Sequence, residues 1–319
     1  MNISLICTVY NESESVRNLI ESIIEQTRLP DEAVFVDGGS TDNTQEIIED
    51  YAEENEWIKL YVDEGCNIAE GRNTAVRKAE NDYIVGTDGG CILDENWVES
   101  MEKGFEECYE ALSGLFRPMS SNLFEYVQGQ IRCQHYEPEK VAENWPPSSR
   151  SVGFTREAWK DAGGYPEDLY TGEDSKFNSN IRRTGREWHV VRDAFVYWEM
   201  RPSWKEYYRQ FYKYGQGDAR AGNLFDYPGK FFGVSKVFWR LSSTWLSIIG
   251  LIAGLAYPPA TLLFILGLAP QFGMKLPALK TSVNQKGLKA VPYWKGLILT
   301  ATAGFFIGFH SEVLRKWLP

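Results

Sequence analysis

The apolar positions in the first part of the chain follow two alternating spacings. Short continuous apolar runs predict four strands, at 3–9, 33–36, 58–62 and 83–86. Between and after them, apolar residues recur at helical spacing and predict helices over 16–24, 44–54 and 68–79. Strand–helix alternation of this kind predicts an α/β fold, with a mostly parallel sheet that carries helices on both faces.

Polar residues follow three of these predicted strands at the point where each strand ends. Asn11 and Glu12 follow the first strand, Asp37 the second and Asp88 the fourth. One aspartate at a strand end is ordinary turn chemistry. Several at one edge of a sheet predict a ligand site, because ligands of open α/β sheets bind outside the carboxyl ends of the strands.

The pattern changes after about residue 200. Trp204–Trp239 interleaves aromatic with basic residues, as at a membrane interface. Trp245–Ala269 carries no charge over 25 residues and is long enough to cross a bilayer, but a Pro-Pro pair at 258 also allows a hairpin. Leu297–Phe309 is a second apolar run. Residues 271–295 carry five lysines and no acid, which favours the hairpin or places the second run at the interface, since two full spans would carry that loop across the membrane.

Charge divides the chain in the same way. Residues 1–200 hold 40 of the 44 acidic residues but only 18 of the 33 basic ones. The net charge of the whole chain, −11, hides this asymmetry. The acidic first part has no general attraction for nucleic acid, and the basic second part suits an anionic lipid surface. We therefore predict a domain at 1–220 and a helical membrane-associated region at 221–319.

The cysteines and the N-terminus bear on the compartment. The five cysteines are scattered, with no Cys-x-x-Cys pair, which argues against a zinc site or a disulfide framework and favours a reducing compartment. The first predicted strand has no basic segment before it, so a signal peptide is not expected. We predict a protein of the cell membrane whose first domain faces the cytosol.

Five short motifs together resemble those of the inverting family 2 glycosyltransferases, over about residues 1–220. They are Thr8–Ser13, Val36–Thr44, Gly71–Ala75, Gly172–Asp174 and Arg182–Gly185. The resemblance implies the GT-A type of nucleotide-binding fold and a UDP- or GDP-linked sugar donor. By their matching positions, it also implies donor or nucleotide contacts for six residues: Thr8, Tyr10, Glu12, Asp37, Arg72 and Asp88. For Arg72, the expected contact is with phosphate or with site carboxylates, and an arginine on the surface of a helix is the alternative.

The resemblance also implies a divalent metal, Mg²⁺ or Mn²⁺, bound at Asp88. The family has a second aspartate two residues later, and this chain has Gly90 there. One carboxylate with phosphate oxygens and waters still suits Mg²⁺. Further candidate ligands are Glu199, near the position where the family often has histidine, and His189.

Asp174 is the predicted catalytic base, because an inverting transfer needs a carboxylate that takes the proton of the acceptor hydroxyl. A helix N-terminal acid placed for the helix dipole is the alternative. Glu173 and three residues in a downstream segment are predicted on the acceptor and diphosphate side: Arg201, Arg209 and Gln210. For the arginines, an interfacial helix explains the pattern equally well.

The predicted reaction moves a sugar to a lipid-linked or cell-envelope glycan acceptor. A polyprenyl-phosphate sugar synthase is the first alternative, and its ionised phosphate acceptor needs no strong base. A non-catalytic membrane adaptor is the second, since Gly90 replaces an aspartate. A nucleotidyltransferase or a dinucleotide-binding oxidoreductase would need a Gly-rich loop after the first strand, where the chain reads Tyr-Asn-Glu-Ser.

Overall fold

The computed structural model describes residues 1–133, 138–169, 171–224, 230–231 and 234–317. It contains two compact units. The first consists of Met1–Pro118 and His135–Glu199, and the second of Met119–Gln134 and Met200–Pro319. The helix that follows residue 203 packs within the second unit, and the predicted boundary between a catalytic and a membrane-associated region at residue 220 stays a prediction.

The described residues include one eight-stranded sheet and one short hairpin, β9 (Lys230–Phe231) with β10 (Val234–Ser235). The strands of the sheet are β1 (Ile3–Val9), β2 (Glu32–Asp37), β3 (Ile58–Val62), β4 (Tyr83–Asp88), β5 (Cys91–Leu93), β6 (Ala111–Met119), β7 (Val152–Thr155) and β8 (His189–Glu199). Their order across the sheet is β3-β2-β1-β4-β7-β6-β8-β5.

The described part also contains twelve α-helices. They are α1 (Val16–Ile24), α2 (Thr44–Glu54), α3 (Ile68–Lys78), α4 (Trp97–Glu106), α5 (Leu123–Cys133), α6 (Arg156–Asp161), α7 (Glu173–Arg183), α8 (Trp204–Arg220), α9 (Lys236–Ala256), α10 (Thr261–Gly273), α11 (Leu276–Lys286) and α12 (Ala290–Trp317).

The first four strands confirm the α/β prediction. β1 pairs in parallel with β2 and β4, and β2 pairs in parallel with β3. β1 and β2 are buried almost throughout, as expected for central parallel strands with both faces covered. The later strands make the sheet mixed, since β7 is antiparallel to β4, β6 to β7, and β5 to β8.

In the second unit, the uncharged run forms a helical hairpin. α9 ends at Ala256, a short 3₁₀ turn covers Pro258–Ala260, and α10 returns along α9. The approach is close enough to require glycine, because a Cβ on Gly250 would lie 2.2 Å from the backbone N of Phe264. The uncharged run is thus folded as two antiparallel helices, and whether they span the membrane or re-enter it stays a prediction.

The second apolar run lies within α12, and α8 packs against it. A Cβ on Gly308 would lie 2.0 Å from the carbonyl oxygen of Tyr212, so only glycine permits this contact. By length and composition, Lys236–Ala256 and Ala290–Arg315 are the described helices that could each cross a membrane. The bent pair Pro258–Gly273 and Leu276–Lys286, with a 64° angle, would add a third if it counted as one span.

Candidate active site

The carboxyl ends of three parallel strands bring two predicted site residues to the same edge of the sheet. Val9, the last residue of β1, is level with Asp37 on β2. Thr8, one residue earlier, is level with Asp88 on β4. The two aspartates therefore flank the end of β1, as the strand-end rule predicts.

Asp37 is fully buried and its carboxylate organises the loop that follows it. Its Oδ1 accepts hydrogen bonds from the backbone N–H groups of Gly39 and Ser40, at 2.8 and 2.7 Å, and from the side-chain amide of Gln45 at 2.7 Å. Its Oδ2 accepts from the Ser40 hydroxyl. Much of its acceptor capacity thus serves the loop, and its predicted nucleotide contact stays a prediction.

The loops after β1 and β2 are joined by side-chain hydrogen bonds. Asn11 has a left-handed backbone, with φ of 55°, and its Oδ1 accepts from the Thr41 backbone N–H at 2.8 Å. Asparagine is among the residues that tolerate this conformation best. Burial raises the pKa of Asp42, but hydrogen bonds from Thr44 and Ser13 outweigh burial and lower that pKa to about 2.

The remaining residues of the β1 loop differ in exposure. Thr8 is half-buried, whereas Tyr10 is 58% exposed and its ring lies against Gly38. Glu12 accepts a 2.6 Å hydrogen bond from the Ser15 hydroxyl, and its side chain lies against Gly89, the residue after Asp88. Tyr10 therefore presents an aromatic surface to solvent, and Glu12 supports the Asp88 loop.

Arg72 is the centre of a buried ion-pair network. One terminal nitrogen donates to Asp88 Oδ1 at 2.8 Å, and the other donates to Glu173 Oε1 at 2.7 Å. Burial lowers the pKa of Arg72, but the charges of Asp88 and Glu173 outweigh burial and raise that pKa above its usual value. Of the two predicted roles for Arg72, the structure contains the contact with site carboxylates.

Glu173 and Asp174 open α7, after Gly172 in a left-handed conformation with φ of 83°. Glu173 is buried, and Asp174 is half-buried with Oδ1 accepting from the Ser175 backbone N–H at 2.6 Å. Burial and the neighbouring Asp174 charge raise the pKa of Glu173 well above its usual value, which the Arg72 contact opposes. Of the two acids, Asp174 is therefore the more accessible.

Arg150 is a site residue that the sequence interpretation missed. Its Nε lies 3.9 Å from Asp88 Oδ2, and its guanidinium group lies 3.8 Å from the centroid of the Trp198 ring. Stacking on an aromatic ring holds a guanidinium group in place. No motif or spacing predicts this contact, because Arg150 lies in a Pro- and Ser-rich segment without a recognisable motif.

Asn73, next to Arg72, fixes the segment that leads towards α7. Its Oδ1 accepts from the Tyr165 backbone N–H at 2.8 Å and from Trp159 Nε1 at 3.0 Å. Its side-chain N–H groups donate to the Tyr165 carbonyl and the Glu167 carboxylate. Arg72 thus contacts the site carboxylates, and Asn73 fixes this loop.

The candidate metal ligands are not all near one another. Glu199 ends β8, where the preceding Trp198 pairs with Cys91, three residues after Asp88. His189 begins the same strand, roughly 30 Å away by the rise of a strand, and stacks on Tyr109. The His189 alternative therefore disagrees with the strand geometry for an ion bound at Asp88. Across the described ranges, no three His, Cys, Asp or Glu residues form a group that could hold a metal.

The other acceptor-side residues belong to the second unit. Arg201 is exposed, and its backbone N–H and carbonyl exchange two 2.9 Å hydrogen bonds with the side chain of Gln128. Arg209 is exposed and Gln210 buried, both on α8. Their assignment to the acceptor and diphosphate stays a prediction.

Two curated relatives resemble the chain in sequence. The uncharacterized glycosyltransferase EpsJ of Bacillus subtilis (strain 168) is 25% identical over 209 residues, which are 62% of this chain and 61% of that protein. Glycosyltransferase AglE of Haloferax volcanii is 22% identical over 232 residues, which are 70% of this chain and 74% of that protein. The match to EpsJ thus spans less than two thirds of its length.

A solved structure resembles the chain in fold. Mannosyltransferase PcManGT from Pyrobaculum calidifontis, in complex with GDP-Man and Mn²⁺, superposes with a TM-score of 0.61 at 20% identity. The superposition covers 99% of this chain and 88% of that one. At this identity the likeness concerns the fold, and it confirms the predicted GT-A type.

Sequence profiles supply the family. Glycosyl transferase family 2 matches residues 4–159, and Glycosyl transferase family group 2 matches residues 139–306, more than half of the chain. The first range includes the Tyr-Asn-Glu element, and the second range includes the Glu-Asp element. The chain belongs to glycosyl transferase family 2.

Proposed function

We propose that this protein is an inverting glycosyltransferase that moves a sugar from a nucleotide-diphosphate donor to a lipid-linked or cell-envelope glycan acceptor. The observation that carries the proposal is the buried network in which Arg72 joins Asp88, at a strand end, to Glu173, at the start of α7. It brings the donor side of the motif series within reach of the Glu-Asp pair. The donor is UDP- or GDP-linked, as GDP-Man is in PcManGT.

Arg72 acts in this proposal as a positioning residue. Its two terminal nitrogens are occupied by carboxylates and its side chain is 6% exposed, so it fixes Asp88 and Glu173. Arg150, with a side chain that is 17% exposed, is the cation that we assign to the donor diphosphate. A guanidinium fork matches the geometry of phosphate oxygens. Asp37 shapes the neighbouring loop, and Tyr10 offers its exposed ring to the nucleoside.

Asp174 is the proposed catalytic base. In an inverting transfer, the acceptor oxygen attacks the anomeric carbon from the face opposite the diphosphate, the bond to the diphosphate breaks, and a base takes the hydroxyl proton. Asp174 is half-buried, whereas Glu173 is buried and its Oε1 accepts from Arg72, so Asp174 is the acid better placed to meet an acceptor. Glu173 holds Arg72 and thereby orients the helix start.

The site offers one protein carboxylate, that of Asp88, as a ligand for a divalent ion. Asp88 would hold it together with phosphate oxygens of the donor, and Glu199 is the candidate second ligand because β8 ends beside β5. Mg²⁺ or Mn²⁺ would supply positive charge to the departing diphosphate. Arg150 already lies 3.9 Å from Asp88, so part of that charge comes from the chain itself.

We propose that the α9–α10 hairpin enters the membrane, with the first unit in the cytosol. The hairpin exposes large apolar side chains, among them Leu255 at 86% and Ile252 at 64%. α12 packs instead on the charged helix α8, and its buried Glu312 pairs with Arg220 at 3.0 Å. A helix covered in this way suits the interface, where it meets a lipid-linked acceptor.

Release of nucleoside diphosphate tests the function. The full chain is assayed with a panel of UDP- and GDP-sugars, with and without Mn²⁺ or Mg²⁺, in membranes that supply the native acceptor. Asp174→Asn should lower kcat by about 10²- to 10⁴-fold, the usual contribution of a general base, and the exposed Asp168→Asn should not. The anomeric configuration of the product should be opposite to that of the donor.

Two outcomes would change the proposal. Full activity of Asp174→Asn would favour the polyprenyl-phosphate synthase, since a phosphate acceptor is already ionised. Absence of turnover with every donor would contradict an enzymatic function and favour a membrane adaptor.

A further inference from the structure

An open pocket of about 450 Å³ lies within the first unit, beside the helix that carries Arg72. Asn73 and Arg77, four residues apart on one face of α3, form one wall, and the loop that follows α6 forms the other. The volume is in the range of small-molecule sites. Among the described residues, the lining includes neither Asp88 nor Asp174, so the pocket is separate from the catalytic centre.

Hydrogen bonds within the protein hold the walls of this pocket. Asn73 Oδ1 accepts from Trp159 Nε1 at 3.0 Å, and the Asn73 side-chain N–H donates to Glu167 Oε1 at 2.9 Å. Gly164 permits this close packing, because a Cβ there would lie 2.9 Å from Asn73 Oδ1. The aromatic and acidic groups are therefore fixed before a ligand binds, which lowers the entropy cost of binding.

The surface of the pocket is part apolar and part polar. The half-buried rings of Trp159 and Pro166 give the apolar part. At Gly163 a Cβ would have nothing within 4 Å, so this part of the wall borders open space. A ligand that matches such a surface has an apolar face and polar groups around its edge. A sugar ring has this character, with C–H groups on its faces and hydroxyl groups around its rim.

The polar part offers both hydrogen-bond donors and an acceptor. Lys160 is exposed and forms no ion pair among the described residues. Arg77 has five N–H donors, one of which binds the Thr74 hydroxyl at 3.0 Å. Glu167 lies 3.7 Å from Arg77, and its Oε2 accepts no hydrogen bond from the part of the chain that the structure describes.

This mixture selects the class of ligand. An ionised phosphate or carboxylate accepts hydrogen bonds without donating any, and the charge of Glu167 would repel it. A hydroxyl group both donates and accepts, so it can bind to the carboxylate and to the two cations at once. The lining therefore suits a ligand with several hydroxyl groups better than an anion.

Tyr165 connects the pocket to the catalytic centre. Its ring is on the pocket wall, and the Arg72 guanidinium group lies 5.4 Å from the centroid of that ring. Arg72 in turn holds Asp88 and Glu173. A ligand in the pocket is thus separated from the Arg72 network by one aromatic side chain.

We propose that this pocket binds one sugar residue of a glycan. The sugar ring would lie against Trp159, with its hydroxyl groups donating to Glu167 and accepting from Arg77 and Lys160. The sugar would belong to the acceptor glycan, at a residue other than the one that reacts, and this assignment rests on the proposed function. An accessory contact of this kind holds the acceptor without taking part in the transfer.

Ligand-observed NMR tests the pocket. The full chain is kept in lauryldimethylamine oxide, a detergent without a sugar headgroup. Saturation-transfer difference spectra are recorded with the methyl glycosides of glucose, galactose, mannose and N-acetylglucosamine, and wild type should bind at least one. Arg77→Met and Lys160→Met should each weaken that binding by about three- to tenfold, the usual contribution of one hydrogen bond. Lys103→Met, exposed on α4 and outside the pocket, should leave it unchanged.

Two further measurements separate binding from folding. The midpoints of thermal unfolding of Arg77→Met and Lys160→Met should lie within about 4 °C of wild type, because both side chains are exposed. Gly163→Asn adds a side chain in the open space of the pocket, and asparagine tolerates the φ of 79° there. It should weaken glycoside binding. Gly185→Asn, with φ of 91° and open space outside the pocket, should not, and equal binding by these two variants would contradict a ligand inside the pocket.

UDP and GDP, added with Mg²⁺, separate the pocket from the donor site. Arg77→Met and Lys160→Met should leave nucleotide binding unchanged, and an equal loss of both ligands would overturn a separate pocket. Nucleotide binding without binding of any glycoside, or glycoside binding that both variants leave intact, would overturn the sugar pocket alone. Glycoside binding without nucleotide binding would support the pocket and contradict the proposed donor.

Discussion

Replacement of Arg72 by methionine removes the central charge of the active-site network while keeping a side chain of similar length. In the wild type, Arg72 donates to Asp88 at 2.8 Å and to Glu173 at 2.7 Å, and the Asp174 charge also acts on it. Arg72→Met removes the cation that joins these carboxylates, and Arg150, whose Nε lies 3.9 Å from Asp88 Oδ2, remains. The side chain of Glu173 is 8% exposed, so water compensates that carboxylate poorly.

The magnitude follows from this burial. Removing one partner of a buried ion pair costs about 3–5 kcal/mol, because the remaining charge is left without compensation. For a unit of this size, 1 kcal/mol lowers the midpoint of thermal unfolding by about 2–4 °C, so the expected fall is about 6–20 °C. Arg77→Met on the same helix is the matched control. Arg77 is 52% exposed and lies 3.7 Å from Glu167, so its loss should cost about 0–1 kcal/mol.

Thermal unfolding followed by near-ultraviolet circular dichroism measures both variants. Mn²⁺ should raise the midpoint of Arg72→Met more than that of wild type, since the freed carboxylates then offer a divalent site. A carboxyl group with a raised pKa gives stability that is present at low pH and lost as pH rises through that pKa. The pKa of Glu173 is already raised in wild type, and loss of Arg72 raises it further.

The midpoint of thermal unfolding of Arg72→Met is expected below that of wild type. The difference between the two midpoints should shrink as pH falls from about 8 to about 5.5, where a carboxyl with a raised pKa becomes protonated. A fall in midpoint no larger than that of Arg77→Met would refute the reasoning. A difference between the two midpoints that grows at low pH would refute the proposed role of the Glu173 charge.

Two other substitutions test separate contacts. Arg150→Gln should raise the KM for the nucleotide sugar by about tenfold or more, the usual loss of a hydrogen bond to a charged group, in steady-state assays. Arg117→Gln, an exposed arginine on another aromatic ring, should leave it unchanged, and equal effects would contradict the assignment. Gly308→Ala should cost about 1–3 kcal/mol of unfolding free energy by overpacking against Tyr212. Gly273→Ala is the control, because a Cβ on Gly273 would meet open space. Equal losses of unfolding free energy in the two variants would contradict the α8–α12 contact.

The sequence alone determined the elements that depend on local pattern. β1 to β4 and the helices between them were predicted within one or two residues, because apolar spacing in a short window reports which face is buried. The same pattern placed Asp37 and Asp88 at one edge of the sheet. The short strands β5 and β7 carried no such signal, since three or four residues are too few to show a period and their pairing is long-range.

The tertiary structure decided the chemistry around these positions. Arg72 meets Glu173 across 101 residues of sequence, and Arg150, whose guanidinium group lies over the Trp198 ring of β8, approaches Asp88 to 3.9 Å. It also shows that the uncharged run bends at Pro258–Ala260 into two antiparallel helices. Each outcome depends on which groups meet when distant segments pack. A one-dimensional pattern records the preference of a residue for burial or exposure, but not the partner that satisfies its charge.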